Sequence, residues 1–192
     1  MKQTNAVPAG KGWVSKSTRD FRGSPVARIG SEWMLITAGD DPLSGEWNTM
    51  TASWGGLGVL WGRDVAFMVI RQSRHTLEFA ERAGLFTLSF FGGGCRKALD
   101  FCGAKSGRDY DKAAETGLTP IVFGKEDADG KAAGAVGFAE ASEIIVCRKL
   151  YTHDFAPGGF LDPSIDSGCY PQKDYHRLFI GETLVMMEKA GS

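Results

Sequence analysis

The stretch EWNTMTASWGGLGVLWGRDVAFMVIR, residues 46–71, contains three runs rich in Val, Thr, Met and aromatic residues: Glu46–Trp54, Gly58–Trp61 and Asp64–Arg71. Each is bounded by glycine, aspartate or serine and reads as a strand. Only residues 55–57 and 62–63 separate them. Gaps this short hold no crossover helix of the βαβ type, so antiparallel strands should dominate. The fold class that follows is mainly β with short helices, a barrel or sandwich rather than a doubly wound parallel sheet.

Further β-like runs lie on both sides, at Trp33–Ala38, Leu85–Phe91, Thr119–Phe123, Ala135–Tyr151 and Arg177–Lys189. The clearest helical pattern is Thr76–Ala83, with Ser73 as a capping residue and Gly84 as its stop. A second, Cys95–Cys102, puts Cys95, Ala98, Leu99 and Cys102 on one face and ends at Gly103. A third, Asp109–Thr116, is stopped by Gly117. The segment Lys125–Lys131 reads as a polar hairpin connection ending in Asp129-Gly130, and the proline- and glycine-bearing Phe155–Tyr170 reads as one long loop. Residues 1–30 form an N-terminal extension and residues 31–192 a single domain; no linker or internal repeat divides them.

Glycine fills 26 of 192 positions, about twice the ~7% usual in soluble proteins, without a collagen period or low complexity. With 43% hydrophobic residues, a chain of this length buries roughly 70% of its unfolded surface and needs no staple. The formal charge of -1 argues against a generally basic surface, hence against unspecific binding of nucleic acid or anionic membrane. Met1–Lys16 lacks the apolar core of a signal peptide, and no apolar stretch approaches the ~18 residues of a membrane helix. The expected setting is cytoplasmic. Cys95, Cys102, Cys147 and Cys169 lack zinc-site spacing and read as apolar cysteines in a reducing compartment. Seven residues apart on one helix means about 10.5 Å along its axis, so Cys95 and Cys102 cannot pair while helical.

Common phosphate-binding patterns fail. Gly56-Leu57-Gly58-Val59-Leu60-Trp61 has tryptophan where a dinucleotide fingerprint needs its third glycine, and no P-loop, G-x-S-x-G or H-E-x-x-H is present. His75, His153 and His176 are too scattered for a metal cluster. A different anion site is offered by Arg71-Gln72-Ser73-Arg74-His75-Thr76, where two guanidiniums and two hydroxyls follow an apolar strand and lead into a helix. The competing reading is that Ser73 or Thr76 only caps the helix while the arginines are solvated. Asn48–Gly56 is a strand that runs into small polar residues and glycines, suited to placing backbone N–H groups and hydroxyls against a flat ring; an ordinary strand with a glycine bend is the alternative.

Five segments in series resemble one family: Asn48–Gly56, Arg71-x-Ser73-Arg74-x-Thr76, Phe86–Phe91, Cys102-Gly103-x-x-Ser106-Gly107-Arg108-Asp109 and Tyr175-His176-Arg177-x-x-Ile180-Gly181-Glu182. From about Ser31 to Glu188 their order and spacing are similar to the flavin reductase-like FMN-binding family, which includes flavoredoxin. The resemblance implies a split β-barrel, a homodimer and noncovalent FMN near the subunit interface. It implies that Asn48, Thr49, Met50, Thr51, Ala52 and Ser53 line the isoalloxazine ring, bonding N5 and the pyrimidine edge. It further implies that Arg71, Ser73, Arg74 and Thr76 hold the phosphate, with Ser106, Gly107 and Asp109 close to the cofactor. Gln72 and His75 depart from the proline and aromatic residue that relatives often carry there.

The activity implied is an FMN-dependent oxidoreductase that takes hydride from NADH or NADPH and passes electrons to free flavin or another acceptor. An FMN-bearing electron carrier docking a redox protein is the alternative, and a split-barrel protein that binds another ligand is a third. Because flavin supplies the reactive chemistry, no catalytic residue is assigned. His176 is a candidate proton donor, against a structural or interfacial role; Trp54 and Trp61 are candidates for shielding a ring, against a place in the core.

Overall fold

The apolar runs become strands, several of them buried on both faces. In the computed structural model, which describes residues 1–125 and 129–191, the elements are β1 (Val7–Pro8), β2 (Trp13–Lys16), α1 (Pro25–Ala27), β3 (Met34–Asp41), β4 (Glu46–Ala52), β5 (Gly55–Leu60), β6 (Arg63–Arg71), α2 (Thr76–Arg82) and β7 (Leu85–Phe90). They continue with α3 (Arg96–Ala104), α4 (Lys112–Thr116), β8 (Pro120–Val122), β9 (Val136–Phe138), β10 (Glu143–Asp154), α5 (Pro163–Cys169) and β11 (His176–Lys189).

The main sheet runs β4-β3-β7-β10-β11-β6-β5, every pair antiparallel. Its first and last strands, β4 and β5, are joined by only Ser53 and Trp54. The link sets the first and last strands side by side with no ladder between them, so the curled sheet is a barrel split along the β4/β5 seam. The long strand β11 pairs β6 over His176–Glu182 and β2 over Met186–Lys189, so residues of the N-terminal extension join the same sheet. A second, small sheet, β1-β8-β9, includes the parallel pair β1–β8.

Period-two alternation divides the apolar side chains between two cores. Ile36, Leu88, Ile145, Phe179 and Met186 point into one, and Leu35, Ile144, Val146, Val185 and Met187 into the other, where Trp47, Leu99, Cys102 and Phe138 meet them. Burial on both faces explains why these strands read as continuous apolar runs.

Several expectations are corrected. Ala135–Tyr151 is two strands, β9 and β10, because the chain turns at residues 139–142. Phe155–Tyr170 is not one loop: it holds a 3-10 turn at Pro157–Gly159 and α5, whose Asp162 accepts from the Ser164 N–H ahead of Pro163. Helix α3 runs past Gly103 to Ala104. Helix α4 starts at Lys112, capped by Asp111, and ends on Gly117 at φ 71° as expected. Part of Lys125–Lys131 lies outside the described residues.

Candidate functional site

The seam brings functional groups together. Where β4 ends, Met50 to Trp54 border a cleft of about 160 Å³, closed on the other side by Val69 and Arg71 of β6, His176 of β11, and Arg74. Register places His176 opposite Arg71. Gly55, the first residue after the link, has φ 153°, and a Cβ there would lie 2.6 Å from the Phe67 carbonyl oxygen, so the turn needs glycine.

A second cleft, of about 90 Å³, shares Met50 and Arg74 with the first and adds Ser73, Thr76, Ser106 and Gly107, with Lys105 and Lys112 in its wall. The two together carry most of the expected site: Met50, Thr51, Ala52, Ser53, Arg71 and Arg74 in one, Ser73, Thr76, Ser106 and Gly107 in the other. Asp109 is exposed and borders neither; its N–H donates to the Ser106 carbonyl at 3.1 Å. A larger hollow of about 480 Å³, between Phe21 and the β5–β6 edge, is mostly apolar, and its one ion pair, Arg19–Asp64, closes on itself. Converging donors, not size, single out the seam.

Asn48 and Thr49 lie behind the clefts, both buried. Asn48 Nδ2 donates to Thr76 Oγ1 at 3.0 Å, while its Oδ1 has no partner; a Cβ on Gly107 would lie 2.1 Å from that oxygen. Thr49 Oγ1 donates to the Ile36 carbonyl, and Thr51 Oγ1 to the Leu99 carbonyl. These two hydroxyls tie β4 to its neighbours. Among the described residues, Ser53 and Ser73 hydroxyls make no internal hydrogen bond.

Ser73 does not cap α2. The Arg74 N–H donates to the Arg71 carbonyl at 3.0 Å in a turn that puts His75 at the cap position, with no side-chain cap. Ser73 thus borders the cleft instead. The two arginines differ. Arg71 donates through Nη1 to Asp174 Oδ1 at 2.7 Å and through Nη2 to the Cys169 carbonyl at 2.9 Å, with its guanidinium 5.1 Å from the Tyr170 ring centre. Arg74 donates to the Gly103 carbonyl at 2.7 Å.

His176 is buried, with Nδ1 2.8 Å from the Tyr170 hydroxyl and its ring centre 5.0 Å from that of Trp54. Burial, then the nearby Arg71 charge, push its pKa down to about 4, so the imidazole is neutral at pH 7. Lys112 is the site residue that sequence reasoning missed. It is 3% exposed, and its Nζ donates to the Thr49 carbonyl at 2.7 Å and the Cys102 carbonyl at 2.9 Å. Burial pushes its pKa down to about 8. Its segment is held by Gln3, whose Nε2 donates to the Tyr110 carbonyl and whose Oε1 accepts from the Lys112 N–H.

Comparison with solved structures finds this fold in flavin proteins. Flavoredoxin from Methanosarcina acetivorans superposes with a TM-score of 0.61 at 20% identity, covering 82% of this chain and 68% of that one. An FMN-binding domain of a flavin reductases-like enzyme from Shewanella baltica gives 0.62 at 16%, covering 92% and 77%. An NADH:FAD oxidoreductase from Streptomyces globisporus gives 0.57 at 16%, covering 82% and 74%. At these identities the likeness is one of fold. A search of curated proteins gives no match. The family described as flavin reductase like domain matches residues 26–191, which take in the whole main sheet except β2 and both clefts at its seam, and the chain therefore belongs to that family.

Proposed function

We propose that the chain binds FMN noncovalently at the β4/β5 seam and acts as an NAD(P)H-dependent, flavin reductase-type oxidoreductase that passes electrons to free flavin or another acceptor. The observation that carries this reading is the paired cleft. One part joins Arg74 to the hydroxyls of Ser73, Thr76 and Ser106, and the part that shares Arg74 with it is walled by a strand end, Trp54 and a neutral histidine. A fork of guanidinium donors beside three hydroxyls suits a phosphate, so the residues present fit the phosphorylated cofactor.

Ser73, Arg74 and Thr76 hold the phosphate, with Ser106 and Gly107 facing them; Arg71, expected beside them, borders only the ring-side cleft and is paired with Asp174. Met50 to Ser53 present the strand end to the ring, and Trp54 and His176 shield it from water. When bound, FMN supplies the ring that accepts hydride and releases its electrons. His176, neutral at pH 7, offers a hydrogen bond rather than a positive charge. The same reading includes a homodimer, supported by a cleft open beside Trp54, which is 44% exposed. It also includes a cytoplasmic setting, supported by Cys102 and Cys147 being buried as apolar side chains with thiol pKa values raised.

The visible spectrum of the purified protein, followed by anaerobic addition of NADH or NADPH, tests the activity: bound flavin should bleach. Bound flavin that neither nucleotide bleaches refutes the reductase and favours the electron carrier. Replacing Arg74 by alanine should weaken FMN roughly tenfold or more while riboflavin changes little, since a charge-assisted hydrogen bond contributes about 1.5–3 kcal/mol. Equal weakening of both ligands removes the phosphate role.

A further inference from the structure

We propose that Asp174 is a specificity-determining residue that fixes which end of the site receives a phosphate; this rests on the flavin reading above. Two arginines three positions apart border the ring-side cleft, and both would attract an anion there. The segment between β10 and β11 removes one of them. Its Asp174 carboxylate accepts from Arg71 Nη1 at 2.7 Å, its Cys169 carbonyl accepts from Nη2, and its Tyr170 ring lies under the guanidinium.

Arg74 has no carboxylate partner among the described residues, and the cleft it shares with Ser73, Thr76 and Ser106 is also walled by Lys105 and Lys112. Asp174 therefore balances the charge where the ring lies and leaves the excess positive charge at the other end. A ligand with one flat neutral end and one anionic end then enters in one orientation. Asp174 does this by holding Arg71, without touching the ligand.

The test is calorimetric titration of the full chain with inorganic phosphate, alongside FMN and riboflavin. Asp174→Asn removes the charge that balances Arg71, although its amide oxygen still accepts from Nη1, and should add a second phosphate equivalent bound roughly tenfold more tightly than any the parent binds there. The double variant Asp174→Asn with Arg71→Met should lose that gain. Unchanged or weaker phosphate binding in Asp174→Asn overturns the proposal, as does a gain that survives in the double variant. Asp174→Ser serves as a second release variant; loss of the folded state in both shows the carboxylate to be structural and overturns it too. Failure of the unmodified protein to bind FMN refutes the flavin reading alone, because the phosphate measurements do not depend on it.

Discussion

Replacing Gly107 by alanine probes the contact on which the site's two halves meet. The added Cβ would lie 2.1 Å from Asn48 Oδ1, 2.8 Å from Cγ and 3.0 Å from Nδ2. Ordinary contact begins near 3.4 Å, so Oδ1 must retreat by roughly 1.3 Å, the difference between 3.4 and 2.1. Asn48 is 1% exposed and bonded to Thr76 Oγ1, so it cannot retreat without breaking that bond. Overpacking costs about 1–3 kcal/mol and the lost hydrogen bond about 1, together about 2–4 kcal/mol. For a chain of this size the melting temperature should fall by roughly 5–15 °C. Differential scanning calorimetry reads this directly. The variant Asn48→Ala removes the obstructing amide, so the double variant should be less destabilised than the sum of the singles. A Gly107→Ala protein melting within about 2 °C of the parent, with flavin affinity intact, would refute the reasoning.

Two further outcomes follow from buried titratable groups. His176 has a folded pKa of about 4, below its ordinary 6.5, so the unfolded chain takes up a proton first as pH falls. Stability should decline from about pH 6.5 to about pH 4, and urea midpoints of His176→Asn should show a shallower decline. Lys112 has a folded pKa of about 8 against 10.5, so between those values the unfolded chain holds the extra proton and this group adds stability as pH rises. Lys112→Met should lack that contribution when urea midpoints at pH 7.5 and 10 are compared with the parent's; an identical difference in both proteins would sink the assignment.

The strands were legible because their signal is local: β-branched and aromatic runs punctuated by glycine lie within a residue or three of the observed boundaries over β3 to β7. The break between β9 and β10 was not, since apolar residues continue on both sides of the turn. Helix α5 escaped because Pro163, Ile165 and Cys169 are its only apolar residues and none is buried, which leaves little periodicity to read. The site was legible as far as the segments Asn48–Ser53 and Arg71–Thr76 go. What was hidden depends on partners far along the chain. Lys112 is recognisable only once the carbonyls of Thr49 and Cys102 are seen to converge on it, and Arg71 is set apart from Arg74 by Cys169, Tyr170 and Asp174, the last 103 positions away. Ser73 resembled a cap because its distance from the helix was right, but the turn at Arg71–Arg74 moved the cap position to His75.

The two-residue link between β4 and β5 separates what the fold needs from what the site needs. No ladder joins those strands, so every backbone pairing in the sheet is made without Ser53 and Trp54. A circular permutant opened between them would keep the complete hydrogen-bonding pattern and lose only the tether that holds the two rims of the seam at one spacing. Lengthening or shortening that tether changes the width of the cleft while leaving the barrel's own architecture alone. The seam is thus a place where ligand size can diverge between related chains at little risk to folding.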